Sequence, residues 1–238
     1  MRTAVGRYIR RPRRLARFPG TSGDYASTDD NAAFSALTDF SVLFLGSLDD
    51  WTPGTLQAII SQYGGAGDRS WRFTVLGTAS SYVLRLLMSS DGTATFFADS
   101  TVAPTVTDAT VYWILFTRES ASGEVKFYQA AHTAGMLTPP PIGSFTQIGT
   151  TVTTSTGALF NSTAVLEVGS SVVGTASLLD GDTYRAMLYT GIYGSGSETL
   201  VRDFVPLDAA NTAATSWVSQ RTGETWTLNG GDVLLVQT

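Results

Sequence analysis

The chain has no cysteine and a single histidine, His132. The first absence removes disulfide staples, thiolate zinc sites and cysteine nucleophiles. The second removes multi-histidine metal centres and makes any Ser-His-Asp triad depend on one solvated loop residue. A small β protein exposed to the outside often carries disulfides, so this one must rely on burial and assembly. No apolar run approaches the roughly 18 residues of a membrane span, and no membrane insertion is expected. The start is rich in arginine, but Phe18-Pro19-Gly20 stands where a secretory signal would need about 7–15 apolar residues. An organellar transit peptide shares that acid-free, arginine-rich composition. The expectation carried forward is a protein made in the cytoplasm and kept there until it is assembled.

Positive charge is also scarce, except at one end. Positions 1–20 hold seven arginines and no acid, which leaves 8 basic against 20 acidic residues beyond them. The net charge of −5 therefore combines an arm at +7 with a body at −12. Such a split marks an arm that docks onto something acidic. A solubilising tail is one alternative. Nucleic acid is another, but a body at −12 repels phosphates and only Tyr8 and Phe18 offer stacking. Docking onto an acidic neighbour, or onto the body of another copy, suits the bidentate fork of arginine best. Arg7, Arg10, Arg11, Arg13, Arg14 and Arg17 are the expected anchoring residues. Pro12 interrupts any long helix, and Pro19-Gly20 divides an arm, 1–20, from one domain, 21–238.

Within that body short runs rich in Val, Leu, Phe, Tyr, Trp and Thr recur between turn sequences. They lie at 40–45, 56–63, 71–76, 82–88, 94–98, 111–117, 125–130, 165–168, 183–190, 200–205 and 224–228. Strands at this spacing predict an all-β, two-sheet antiparallel jelly-roll sandwich. Only 206–214 reads as a short helical turn. Alternation puts Tyr184, Ala186 and Leu188 on one side, opposite Arg185, Met187 and Tyr189. The runs at 82–88 and 111–117 are apolar on both sides, as central or interface strands are. The long loop 131–144 carries Pro139-Pro140-Pro141, an expected stiff finger.

In order, the body resembles the concanavalin A-like, laminin-G-like jelly rolls. GDYASTDDNAAFSALTDFSVLFLGSL is similar to the family's first two strands, and IISQYGGAGDRSWRFTVLG to its Gly-rich hairpin leading into Trp-x-Phe. AVLEVGSSVVGTASLLDGDTYRAMLYTGI is similar to the late strand, loop and strand segment. With FPGTSG ahead and TGETWTLNG near the end, the chain resembles phage virion proteins, notably minor tail proteins of actinobacterial phages. The resemblance implies a structural role in a virion, other virion proteins as partners, homo-oligomers, and contact with host-surface glycans during attachment. Capsid decoration and a soluble, carbohydrate-binding lectin-like protein are the alternatives.

No enzyme is expected. Glucanases of this fold carry Glu-x-Asp-x-(x)-Glu on one strand face. Here Glu167 stands alone on its strand, and Asp180-Gly181-Asp182 reads as a turn. Residues 219–226 match a sialidase-like Asp box except for Arg221 in place of the aspartate, and read as a hairpin turn. The glycine-rich segments lack the Lys-Ser/Thr of a phosphate loop. No cofactor is expected; Asp68, Asp180 and Asp182 are the weak candidates for a rim calcium. Glycan binding needs an exposed aromatic flanked by hydrogen-bonding groups. Trp51, Arg69, Trp71 and Tyr193 are the candidates, against the ordinary use of Trp and Tyr to fill a core.

Overall fold

A computed structural model describes residues 13–31, 34, 37–78, 81–231 and 233–237. Strands are numbered along the chain. One sheet runs, in spatial order, β10 (Thr146–Gln147), β9 (Glu124–Ala131), β8 (Tyr112–Glu119), β3 (Phe40–Leu48), β13 (Asp180–Thr190), β1 (Arg13–Pro19) and β17 (Val233–Gln237). On this larger sheet β11 (Val152–Thr153) also pairs with β9, and β14 (Thr199–Phe204) with β13. The smaller sheet runs β15 (Ser216–Val218), β16 (Thr225–Asn229), β2 (Tyr25–Thr28), β12 (Leu166–Val168), β4 (Gln57–Tyr63), β5 (Arg69–Thr78), β6 (Ser81–Met88) and β7 (Phe96–Asp99). All pairings are antiparallel, and the two sheets pack as a jelly-roll sandwich.

The period of two decides what each strand buries. In β3, Phe40, Val42 and Phe44 point between the sheets, whereas Leu43 and Leu45 belong to a second cluster on the outer side. Trp113 and Leu115 of β8 divide in the same way from Ile114 and Phe116. These strands read as continuous apolar runs because both faces are covered. The centre of the sandwich is aromatic: Phe116 lies 5.2 Å from Phe40 and 4.8 Å from Phe73, with Trp71 at 6.3 Å.

One expected face is wrong, and a β-bulge explains it. The register of β13 on β3 slips between Thr183 and Arg185. Tyr184 therefore joins Met187 and Tyr189 in the outer cluster, while Ala186 and Leu188 stay inside. Gly46 lies opposite Thr183, where a Cβ would come within 2.4 Å of the Asp182 carbonyl oxygen. Asp180 and Asp182 are consequently strand residues at the start of β13 rather than parts of a turn.

The proline run is a cover for the larger sheet. Arg185 Nη1 donates to Leu137 O at 2.7 Å and the Tyr193 hydroxyl to Pro140 O at 2.9 Å, which holds the segment down. Leu137, Ile142 and Phe145 then close the outer cluster. Beneath them Arg185 and Asp203 form a buried ion pair. The expected helical turn is a single 3-10 turn, Pro206–Asp208.

Seven residues assigned to the arm, Arg13–Pro19, are a strand of the domain. β1 lies between β13 and β17, pairing Ala16 with Thr183 and Leu15 with Leu235. Ala16 and Phe18 reach the central core, and Leu15 the outer cluster. The boundary drawn at 20 thus falls inside the sandwich, because apolar alternation in 15–18 outweighs the local density of charge. Arg7, Arg10 and Arg11 lie outside the described residues.

Candidate functional site

The outer face of the larger sheet is covered over its apolar cluster, whereas that of the smaller sheet is partly open. Strand register fixes its pattern. Ser61, Arg72, Leu87 and Phe97 form one row across β4 to β7, and Thr74, Arg85 and Asp99 form the next. Core residues flank these positions along each strand: Trp71 and Phe73 around Arg72, Leu84 and Leu86 around Arg85. The arginines therefore point away from the core by alternation alone.

Phe97 is 52% exposed, the one aromatic side chain more than half open among the described residues. The Arg85 guanidinium lies 4.1 Å from its ring centroid. Asp99 holds that guanidinium in a fork, accepting from Nε at 2.6 Å and Nη2 at 2.7 Å. The ring is thereby fixed beside a partly exposed ion pair.

Towards the centre of the sheet, Arg69 and Arg72 flank the Tyr63 ring at 5.6 and 4.7 Å. A register slip between Gln62 and Tyr63 places both arginines beside the same ring. Arg72 Nη1 donates to the hydroxyls of Ser177 at 2.8 Å and Ser171 at 3.1 Å. Arg69 Nη1 donates to Thr93 O at 3.0 Å. Burial pushes the Arg72 pKa down; Tyr63 opposes that shift, and the charges of Arg69 and Arg85 add to it.

The segment that supplies the two serines forms a wall over β12, β4 and β5. Its backbone is strained, with Val172, Val173 and Ser177 at φ of 57°, 54° and 54°. Glu167 holds it from beneath: its carboxylate accepts from the backbone N–H of Val173 and Gly174 and from the Ser170 hydroxyl, at 2.8, 2.9 and 2.6 Å. The solitary strand glutamate thus anchors a loop, and Val173 stands 57% exposed at its tip.

Against this face the expected ligand residues divide. Arg69 belongs to it. Trp51 and Trp71 are 1% and 0% exposed, so neither offers a surface for a sugar. Trp71 packs on Phe40 at 5.4 Å, filling the core as a large apolar ring does. Tyr193 is half-buried on the other sheet, edge-on to Tyr189 and to Phe145. Burial there, reinforced by Tyr193, pushes the Tyr189 hydroxyl up to about 12. Arg72, Arg85, Phe97 and Asp99 were missed, although Trp-Arg-Phe and Leu-Arg-Leu each announce an outward arginine between core residues.

The expected calcium residues have other partners. Asp68 accepts from Thr163 through both oxygens, at 2.7 and 3.1 Å. Asp180 and Asp182 surround Arg17 together with Asp49, at 2.6, 3.7 and 2.7 Å from its nitrogens. The guanidinium stands where a metal would have to be. Arg17 is raised chiefly by its hydrogen bond to Asp49, and Asp182 is raised by burial against the pull of Arg17. Arg14 donates to Leu207 O and Ala210 O. Both arginines grip the domain of their own chain, and Arg13 sits in β1 opposite Gln237. Among the described residues no group of three or more His, Asp or Glu is placed to hold a metal, and no helix is long and apolar enough to cross a membrane.

No protein-family model matches the chain, and no curated protein matches it. Solved structures do share its architecture. The native heptameric SAP-like pentraxin from Limulus polyphemus superposes with a TM-score of 0.58 at 10% identity, covering 94% of this chain and 95% of that one. The carbohydrate-binding module CBM40 of a Ruminococcus gnavus IT-sialidase, bound to α2,3-sialyllactose, gives 0.48 at 12%, covering 76% and 94%. Tailspike protein 2 of an Escherichia coli O157:H7 bacteriophage gives 0.46 at 12%, covering 80% of this chain and 27% of that one. At 10% identity the likeness to the pentraxin conveys the jelly-roll fold and nothing finer.

Proposed function

We propose that this chain is a non-enzymatic glycan-binding jelly roll displayed on a phage particle, most simply at the tail, and tethered through residues 1–12. The observation that carries the glycan reading is Phe97, a half-exposed ring fixed by Arg85 and Asp99 on the open part of the smaller sheet's outer face. Stacking on the ring supplies apolar area, and the neighbouring donors and acceptors orient hydroxyls. Binding of this kind is tested on a glycan array with the wild-type domain and Phe97→Ala. A glycan retained by wild type should be lost from the variant at unchanged melting temperature. Equal binding by both removes this face from the reading.

The tether reading gains support from the root of the arm. β1 is zipped between two strands, and Arg17 is held by three carboxylates, so force on residues 1–12 passes directly into the sandwich. Arg2, Arg7, Arg10 and Arg11 remain for contact with an acidic virion protein. Deleting 1–12 should leave a folded domain that no longer enters particles; incorporation at full occupancy refutes the tether. A soluble lectin would use the same open face but would be absent from purified particles by mass spectrometry. Copies are proposed to associate through the edge strand β17, whose Leu235 and Val236 are exposed and which carries no charged residue. Leu235→Lys should shift the mass in light scattering towards the monomer.

A further inference from the structure

Arg69 and Arg72 are two cations set beside a single ring in a chain with net charge −5. Arg17, Arg85, Lys126 and Arg185 each meet a carboxylate; Arg118 donates to three backbone carbonyls and Arg202 to one, each with its Nε unpartnered, but these two stand singly. Arg69 and Arg72 meet no carboxylate among the described residues. Of the 20 acids only Asp232 lies outside those residues. The acids adjacent in sequence are committed elsewhere: Asp68 to Thr163, and Asp91 to the N–H groups of Thr93 and Ala94.

The two guanidinium groups are also incompletely bonded. Nε of Arg69 and Nε of Arg72 are buried with no hydrogen-bond partner. Two guanidinium groups held against one ring, each with a buried Nε left unpartnered, cost free energy that a bound anion would recover. Tyr63 and the hydroxyls of Ser171 and Ser177 fix the geometry beforehand, so little side-chain entropy remains to be lost.

We propose that Arg69 and Arg72 form an anion subsite that recognises the carboxylate or sulfate of an acidic saccharide whose sugar ring lies towards Phe97. This rests on the glycan reading of the same face, but the anion subsite can be measured by itself. Arg72 and Leu87 are cross-strand partners, as are Leu87 and Phe97, so subsite and ring are two strands apart on one row. Neighbouring strands are spaced by about 4.8 Å, a separation that one or two sugar rings span.

The test uses the full chain with arginine 15N-Nε signals as the readout. Inorganic sulfate and acetate are titrated first, then a uronate-containing oligosaccharide, its sulfated form and its neutral carboxyl-reduced form. Expected are saturable shifts of the Arg69 and Arg72 Nε signals with either simple anion. Affinity for the acidic oligosaccharides should exceed that for the neutral form, and should fall about 10- to 100-fold in Arg69→Gln or Arg72→Gln. Arg69→Gln keeps the test interpretable if Arg72→Gln misfolds. Shifts with sulfate but no saccharide binding by any form would retain the anion subsite and overturn the glycan reading. Binding of neutral and acidic forms with equal affinity, lost in Phe97→Ala but not in Arg69→Gln, would retain the glycan reading and overturn the subsite. Failure of sulfate and acetate to move either Nε signal overturns the subsite as well.

Discussion

Replacing Arg17 by Met keeps the unbranched stem of the side chain in β1 and removes the charge that three carboxylates share. Arg17 is 24% exposed, and Asp49, Asp180 and Asp182 more so, so each contact is discounted for solvent. The forked contact with Asp49 and the contact with Asp180 are each worth roughly 0.5–1 kcal/mol. Three carboxylates left facing one another add a few tenths more, for a total of about 2 kcal/mol at pH 7. For a chain of this size that lowers the melting temperature by about 4–8 °C. The pH dependence has a definite sign. Asp182 already lies above its ordinary value of 3.8 because burial outweighs the pull of Arg17. Without the guanidinium it rises further. A carboxyl raised on folding stabilises below its unfolded pKa and loses that contribution as pH climbs through the folded value. The deficit of Arg17→Met should therefore be full at pH 7 and shrink towards about pH 4. Asp182→Asn in the same background should recover part of it. Thermal melts followed by tryptophan fluorescence at the two pH values decide the matter. A variant that melts with the wild type at pH 7, or shows the same deficit at both pH values, refutes the clamp.

Three other outcomes follow from the packing. Phe116→Ala empties the middle of the aromatic cluster and should cost about 3–5 kcal/mol in urea unfolding. Glu167→Gln turns an amide donor towards groups that need acceptors, so stability should fall by about 1–3 kcal/mol and hydrogen exchange at Val173 and Gly174 should accelerate. Val173→Asn places a residue that tolerates φ > 0 where an exposed, β-branched one is strained, and should raise stability by about 0.5–1 kcal/mol.

Much of the fold was legible along the chain. The strands 40–48, 57–63, 81–88 and 112–119 announce themselves through dense apolar and β-branched runs, and the hairpin at 219–224 through its turn residues. β1 was missed because arginines at 13, 14 and 17 mask the alternation of Leu15, Ala16 and Phe18. Ser216–Val218 and Val233–Gln237 were missed because runs of three and five residues carry little periodic signal. Of the open face, Arg69 was identified and Phe97 was not. Phe96 and Phe97 are identical as letters, yet Phe97 is exposed while Phe96 packs against the core.

By itself the sequence determined the all-β sandwich, the aromatic core and the charge split, since each depends on local pattern and composition. Tertiary structure decided the direction of the charges. Arg17 faces three aspartates drawn from two other segments, Arg185 a buried aspartate, and Arg69 and Arg72 none among the described residues. The physical reason is that an ion pair depends on distance in space. The register of β5 on its neighbours and one bulge, rather than any motif, set two arginines beside a single ring.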